Sequence, residues 1–230
     1  HGNGKCIIGP GVVVDIKVLL GELEVLEKRG AKVDHLYISD RAHIITPYHV
    51  RLDELREEAR GDQKIGTTKR GIGPCYADKI TRCGLRMVDL LDMETFEGKL
   101  KNNLEEKNEV FEKIYGVEKM DFDQMLAEFK EYSEKISHRI MDSVPEVNEA
   151  LDQDKFVLFE GAQAMMLDIN YGTYPYVTSS SPTTAGVTTG VGIAPKKIDK
   201  AIGVMKAYTT RVGEGPFVTE LEDEIGERLR

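Results

Sequence analysis

The beginning of the chain alternates between short apolar runs and segments in which apolar residues recur at helical spacing. Residues 6–14 form an apolar run typical of a strand, and residues 16–30 have helical spacing with a glycine at their end. Residues 36–38 indicate another short strand, and residues 48–60 favour another helix. Strands that alternate with helices are typical of α/β proteins with a parallel sheet.

A long charged section follows this beginning. From residue 89 to about residue 150, Glu, Lys and Leu recur with a period near 3.6, which predicts helices with solvated charged faces. Two later apolar runs, at residues 156–159 and 201–208, are bounded by polar residues. Such runs predict buried strands of a parallel sheet.

These patterns together predict a single partial domain with an α/β fold. Residues 1–40 and 151–230 are expected to supply portions of a mainly parallel central sheet. Residues 41–150 are expected to form a mostly helical section inserted between those portions. A chain of 230 residues, 40% of them hydrophobic, is large enough and apolar enough to bury a substantial core.

Composition narrows the possible classes of protein. The chain has 31 basic and 40 acidic residues, and its net charge of −9 argues against a general nucleic-acid binder. Its three cysteines are unpatterned, so neither a disulfide framework nor a zinc site is expected. No stretch approaches the ~20 apolar residues of a membrane span. We therefore expect a cytoplasmic protein without nucleic-acid or membrane partners.

Three polar segments carry the candidate chemistry. Residues 65–82 combine glycines with Thr67, Thr68 and several basic residues, a combination that suits a phosphate monoester. Gln163 follows an expected strand, and its amide suits the edge of a purine. Residues 172–181 are rich in hydroxyl groups. Taken singly, such segments are more often ordinary turns or caps than binding sites.

The order of these segments resembles one known family. Gly71-Ile72-Gly73-Pro74, followed by Tyr76, Lys79 and Arg82, is similar to a motif of the adenylosuccinate synthetases. Four further segments resemble that family in the same order along the chain, at residues 38–43, 159–163, 172–180 and 206–213. The resemblance extends over essentially the whole chain.

The resemblance implies an activity, a fold and a set of partners. The family is a GTP-dependent ligase of purine (AMP) biosynthesis that joins L-aspartate to IMP. GTP and Mg²⁺ serve to phosphorylate the IMP 6-oxygen, and aspartate then displaces phosphate to give adenylosuccinate. The resemblance also implies a homodimer and a sheet related to the P-loop NTPase-like fold.

The resemblance assigns four residues to the IMP phosphate. Thr67 and Thr68 are expected to hold the 5′-phosphate, and Thr178 is expected to contact it as well. Arg82 is expected to reach the phosphate from the other subunit of the dimer. The section between residues 41 and 150 therefore carries the main phosphate loop.

Three further residues receive roles from the resemblance. Gln163 is expected to meet the hypoxanthine base, and the backbone at Val212 is expected to lie at the ribose. Lys79 is the candidate catalytic residue, with orientation of its loop as the alternative role.

Parts of the family pattern have no counterpart in the printed sequence. The glycine-rich phosphate loop with its Asp base and His acid would precede His1, and the guanine-recognition part would follow Arg230. The chain thus resembles a middle segment, and the Mg²⁺ ligands are expected outside it. We expect the 230-residue chain alone to be inactive. The alternative is a non-catalytic nucleotide-binding or assembly module, if the native protein begins at His1.

Overall fold

In the computed structural model, which describes residues 4–229, the first apolar run forms two short strands instead of one. Strands β1 (Cys6–Ile8) and β2 (Val13–Val14) are separated by a turn at Pro10 and Gly11. Pro10 has no N–H to donate to a strand ladder. A Cβ atom on Gly11 would lie 2.5 Å from the Cα atom of Gly190, so this turn requires a glycine.

The strands form two small parallel sheets. In the larger sheet β3 (Leu36–Ser39) lies between β1 and β5 (Ile140–Met141), with Ile8 opposite Ile38 and Ile38 opposite Ile140. In the smaller sheet β2 pairs with β4 (His43–Ile44). The expected parallel α/β arrangement is confirmed, although β5 lies in the section predicted to be mostly helical.

The helices of the first 60 residues lie where the periodicity predicts them. α1 and α2 occupy the two predicted segments, and α3 follows the glycine-rich loop. Aspartate side chains accept backbone N–H groups at the starts of α1, α4, α5 and α6, which satisfies donors that a helix leaves unpaired. The α-helices are α1 (Ile16–Lys28), α2 (Pro47–Ala59), α3 (Ile72–Thr81), α4 (Met93–Lys113), α5 (Phe122–Ile136), α6 (Ser143–Asp152), α7 (Thr184–Val191) and α8 (Glu224–Leu229).

Short 3₁₀ turns connect several of these elements. They lie at Gly61–Gln63, Met87–Leu91, Ser137–Arg139, Met165–Leu167 and Pro195–Lys197. Between residues 4 and 229, no helix combines the length and the apolar character needed to cross a bilayer.

The main core joins the larger sheet to α1, α2, α4 and α5. Ile38 on the central strand is fully buried. Phe96 of α4 packs against Phe129 of α5 with ring centroids 5.0 Å apart, and Tyr132 meets Phe129 edge-on at 5.6 Å. Tilted and edge-on contacts are the geometries that aromatic rings prefer. The charged section is therefore a packed helical layer whose apolar faces close the core.

The two later strand predictions are wrong. Residues 156–159 and 201–208 form no strand in the structure. Phe156 is 93% exposed and Val204 is 96% exposed. A strand needs a hydrogen-bonded neighbour, and every strand of the part described pairs within residues 6–141. The division of the chain at residues 40 and 150 stays a prediction.

A buried polar cluster fastens α3 to α2 and α4. His49 of α2 is fully buried, and its Nε2 atom lies 3.1 Å from the Asp78 carboxylate of α3. The ammonium group of Lys107 on α4 lies 3.1 Å from the other oxygen of Asp78. Moving one helix away would leave a buried charge without its partner, which is energetically costly. The three side chains therefore stabilise the packing of the three helices against one another.

The hydrogen bonds of His49 fix its tautomer. The backbone N–H of Thr46 donates to Nδ1 at 3.0 Å, so Nδ1 carries no proton and Nε2 is the donor to Asp78. Burial lowers the pKa of His49, although the neighbouring Asp78 opposes that shift. The histidine is therefore held neutral in the folded chain.

We predict that acid destabilises the chain through His49. The unfolded chain binds a proton there below pH of about 6.5, whereas the folded chain resists it, so stability falls as the pH drops from about 6.5. Urea unfolding of the 230-residue chain between pH 7 and pH 5 measures this slope. His49→Gln is expected to reduce the slope by up to about 1.4 kcal/mol per pH unit.

A matched control comes from the exposed His138, because His138→Gln is expected to leave the slope unchanged. His43 is expected to contribute part of the pH dependence of stability that remains in His49→Gln. Its burial, together with the nearby Lys79, lowers its pKa to about 4. An unchanged slope in His49→Gln would contradict the neutral assignment of His49.

Candidate functional site

The candidate phosphate loop, residues 64–71, lies over a carboxylate of the preceding helix. We call it the threonine loop. Glu57 of α2 is only 2% exposed, and its carboxylate accepts the backbone N–H groups of Gly66 at 3.0 Å, Thr67 at 3.3 Å and Ile65 at 3.4 Å. Three N–H groups that converge on one carboxylate determine the path of the backbone at Thr67.

A second carboxylate of α2 holds the end of the same loop. Asp53 accepts the Thr67 hydroxyl at 3.1 Å and the Gly71 N–H at 3.0 Å. Gly71 has a φ of +73°, and a Cβ atom there would lie 2.7 Å from the backbone nitrogen of Val50. Only glycine allows the loop to approach α2 this closely.

The charge of Glu57 is retained despite its burial. Burial alone would raise the pKa of this carboxyl group. The hydrogen bonds from Gly66, Thr67 and Ile65, together with Arg60, outweigh burial and leave the pKa below its ordinary value. The loop is therefore held by an ionised carboxylate at neutral pH.

The threonine loop touches the segment that contains Val212. Gly66 has a φ of +77°, and a Cβ atom on it would lie 2.8 Å from the Cα atom of Gly213 and from the nitrogen of Glu214. Thr67 and the backbone next to Val212 are thus on neighbouring segments. The Val212 side chain itself is 91% exposed.

Arg211 ties this segment to the hydroxyl-rich residues 172–181, which we call the hydroxyl loop. Its guanidinium donates to the Thr173 hydroxyl at 3.3 Å and to the Tyr176 carbonyl at 3.1 Å. Within the hydroxyl loop, the Thr178 N–H donates to the Leu167 carbonyl at 2.8 Å. The hydroxyl loop and the segment that contains Val212 therefore lie next to each other.

The N-terminal end of helix α3 also lies next to the hydroxyl loop. A Cβ atom on Gly73, at the start of α3, would lie 3.5 Å from the Ser179 hydroxyl of the hydroxyl loop. The Tyr76 hydroxyl donates to the Gly11 carbonyl at 2.8 Å. Three candidate segments that are far apart in sequence thus meet around the N-terminal end of α3.

Lys79 is engaged with the backbone. Its ammonium group donates to the Pro10 carbonyl at 3.1 Å and lies 5.6 Å from the centre of the Tyr76 ring. Burial lowers the pKa of this half-buried ammonium group. These contacts fit the orienting role that the sequence left as the alternative, while the catalytic role of Lys79 stays a prediction.

Three other predicted residues lie apart from these contacts. Arg82 ends α3 with a φ of +69°, and its exposed guanidinium makes no hydrogen bond or ion pair within residues 4–229. Gln163 has a φ of +63° and is exposed, and Thr68 is exposed on the threonine loop. All three side chains are therefore accessible to a ligand or a partner.

Sequence reasoning missed Asp53 and Glu57. Their spacing of four residues places both on one face of a helix. The neighbouring Glu54 and Glu58 give the same helix an acidic surface, so the pattern resembles a solvated face. The signal that could have identified them is their position immediately before a loop rich in glycine and threonine.

The described residues do not supply a metal site. Among residues 4–229, no three His, Cys, Asp or Glu side chains cluster in a way that could hold a metal ion. Mg²⁺ requires several oxygen ligands in octahedral geometry.

Comparisons with known proteins identify the family. The adenylosuccinate synthetase family profile matches residues 1–230. Proteins named adenylosuccinate synthetase from Fusobacterium nucleatum and from a Geobacillus species are 68% and 58% identical over 99% and 98% of the chain. In each case the chain covers 53% of the relative's length, so it spans about half the length of the curated relatives it matches.

A solved structure agrees with the fold. The fully ligated adenylosuccinate synthetase from Plasmodium falciparum superposes with a TM-score of 0.91 at 41% identity, over all of this chain and 53% of that one. This match confirms the α/β fold class. The family profile and these similarities show that the chain belongs to the adenylosuccinate synthetase family.

Proposed function

We propose that the protein containing this chain ligates L-aspartate to IMP at the expense of GTP. The reaction passes through 6-phosphoryl-IMP and gives adenylosuccinate, GDP and phosphate. The observation that carries this proposal is 68% identity, over 99% of the chain, to a protein named adenylosuccinate synthetase. The same identity favours the ligase over a non-catalytic nucleotide-binding module.

The chemistry requires activation of the base. A purine 6-oxo group is a poor leaving group, and its phosphorylation by GTP with Mg²⁺ makes it replaceable by the aspartate nitrogen. In this proposal the residues of the present chain bind and orient IMP. Accurate placement of the reacting carbon is itself a large part of a rate enhancement.

Phosphate recognition is the part of the proposal with the most structural support. Thr67 and Thr68 lie on a glycine-containing loop that hydrogen bonds attach to α2, and both are proposed to contact the 5′-phosphate. The exposed Thr68 hydroxyl would donate to it directly, whereas the Thr67 hydroxyl would exchange its bond to Asp53 for one to the phosphate. Thr178 lies in the hydroxyl loop, which reaches this neighbourhood through Arg211. Hydroxyl donors of this kind suit a phosphate dianion.

The other contacts with IMP follow from the same neighbourhood. The backbone at Val212 would lie at the ribose, because Gly213 touches the threonine loop. The exposed amide of Gln163 would meet the hypoxanthine. Lys79 would hold the start of the chain against α3, as its bond to the Pro10 carbonyl suggests.

We also infer that the protein is a cytoplasmic homodimer. The support for the dimer is Arg82, whose guanidinium extends from the end of α3 without a partner among residues 4–229, while the cytoplasmic location rests on family membership alone. An unpaired guanidinium at the opposite end of α3 from the threonine loop suits a bidentate contact to a phosphate of the neighbouring subunit.

We predict that activity depends on joining this chain to the rest of a relative. In a chimera, this chain replaces the matching segment of the Fusobacterium nucleatum relative, to which it is 68% identical. The chimera is expected to form adenylosuccinate from IMP, aspartate and GTP with Mg²⁺, at a rate similar to that of the unmodified relative. The 230-residue chain alone is expected to form none. An inactive chimera beside an active relative would contradict the proposed function.

Arg82→Leu in the chimera is expected to raise the KM for IMP by about ten- to a hundredfold. This range corresponds to the loss of one charge-assisted hydrogen bond, worth about 1.5–3 kcal/mol. The KM for GTP is expected to stay nearly constant in steady-state assays. An equal rise for both nucleotides would indicate a general structural defect.

The dimer assignment has its own control. Subunits carrying Arg82→Leu are mixed with subunits carrying Thr68→Val, which damages the phosphate loop on the other side of the same site. If Arg82 acts across the dimer, mixed dimers contain one intact site and recover part of the activity. No recovery would place Arg82 in its own subunit's site.

Gln163→Leu is expected to relax selectivity for the base. A buried hydrogen-bonding site rejects a mismatched partner because polar groups are left unpaired, and this selectivity is lost when the amide is removed. The KM for IMP should rise, while inhibition by ribose 5-phosphate should change less than twofold. Equal loss for both compounds would show that Gln163 only supports the loop.

A further inference from the structure

Two carboxylates of α2 accept hydrogen bonds from the threonine loop, and the proposed function requires this same loop to bind an anion. Asp53 and Glu57 are 7% and 2% exposed, and they lie on the same face of α2. Between them they accept four backbone N–H groups and one hydroxyl of the loop. Both ends of the loop are therefore hydrogen-bonded to α2.

These hydrogen bonds divide the donors of the loop into two sets. The N–H groups of Ile65, Gly66, Thr67 and Gly71 and the hydroxyl of Thr67 are directed inward, toward the two carboxylates. Within the described residues, the Thr68 hydroxyl and the side chains of Lys69 and Arg70 have no such partner and are exposed. The loop consequently presents its remaining donors on its outer side.

Lys69 has a φ of +53°, a backbone conformation that residues other than glycine seldom adopt. Its N–H lies 3.4 Å from the Thr67 hydroxyl oxygen, which in turn donates to Asp53. The conformation at Lys69 is thus linked to the carboxylate through Thr67. This chain of contacts connects α2 directly to the outward-facing residues.

A carboxylate near a phosphate site affects phosphate binding in two opposite ways. Its negative charge repels a phosphate dianion, which weakens binding. Its hydrogen bonds to the loop hold the backbone in the binding conformation, which strengthens binding. The inward hydrogen bonds of Glu57 offset its charge at close range, because each N–H dipole points at the carboxylate. Shape is therefore expected to dominate over repulsion.

We propose that Glu57, assisted by Asp53, is a positioning residue for the phosphate group of IMP. It contacts no substrate in this scheme, and it acts by fixing the backbone of the threonine loop so that Thr68 and its neighbours face one point. This inference rests on the proposed function, because it assumes that the loop binds the IMP phosphate.

The test compares isosteric variants in the chimera described above. Glu57→Gln keeps the shape of the side chain but turns an N–H group toward the backbone donors of the loop. The KM for IMP and the inhibition constant of ribose 5-phosphate are both expected to rise about tenfold, which corresponds to roughly 1.4 kcal/mol. The value of kcat and the KM for GTP should change less than twofold.

Two other variants complete the test. Glu58→Gln alters the adjacent, exposed acid of the same helix and should leave all constants unchanged. Asp53→Asn retains one oxygen, which can still accept either the Thr67 hydroxyl or the Gly71 N–H. We therefore expect a smaller rise, of about threefold, in the KM for IMP and in the inhibition constant of ribose 5-phosphate. Inhibition by inosine, which lacks the phosphate, should not respond to either change at Asp53 or Glu57.

The outcomes distinguish a failure of the proposed function from a failure of the positioning role of Glu57. If the unmodified chimera forms no adenylosuccinate, the proposed function fails. If it is active and Glu57→Gln leaves the KM for IMP unchanged, or lowers it through relief of repulsion, the positioning role is wrong. Equal losses for IMP, inosine and GTP, or a chimera that no longer folds with either Glu57→Gln or Asp53→Asn, would assign the two acids to structure alone and also overturn it.

Discussion

The hydrogen bond between His49 and Asp78 joins α2 to α3, and the candidate site depends on that junction. α2 carries Asp53 and Glu57 beneath the threonine loop, while α3 carries Lys79 and ends at Arg82. Because the loop connects the two helices, the positions of its ends and its direction are determined by their packing. Hydrogen bonds from α2 thus hold the backbone of the loop in one path, and a loop held in this way costs less entropy to order around a ligand.

Much of the fold was predictable because its local signals are strong. α1 and α2 have clear helical spacing, and the apolar segment of β3 is bounded by polar residues, so all three lie where expected. A strand of two residues, such as β5, has no periodicity to detect. The runs at residues 156–159 and 201–208 failed for a different reason. An apolar run indicates that a segment tends to be buried, but a strand also needs a neighbour, and the described residues provide none.

The candidate site was predictable to a similar degree. The glycines and threonines of the loop indicate an anion site by their chemistry, and the roles of Arg82 and Gln163 followed from family resemblance. The acids beneath the loop were not predictable. Asp53, Glu54, Glu57 and Glu58 are chemically alike in the sequence, and only the path of the loop separates the two that hold its backbone from the two that face solvent.

The same arrangement would allow an acidic chain to bind the proposed anionic ligand. The chain has a net charge of −9, but salt screens exposed charges over a distance of about 10 Å. At the threonine loop Asp53 and Glu57 are already hydrogen-bonded to the loop, and the side chains of Lys69 and Arg70 are exposed beside Thr68. The field that a phosphate meets is therefore governed by the donors within a few ångströms. In the proposed function, local geometry and not the overall charge would determine whether the phosphate binds, and α2 holds the loop that provides that geometry.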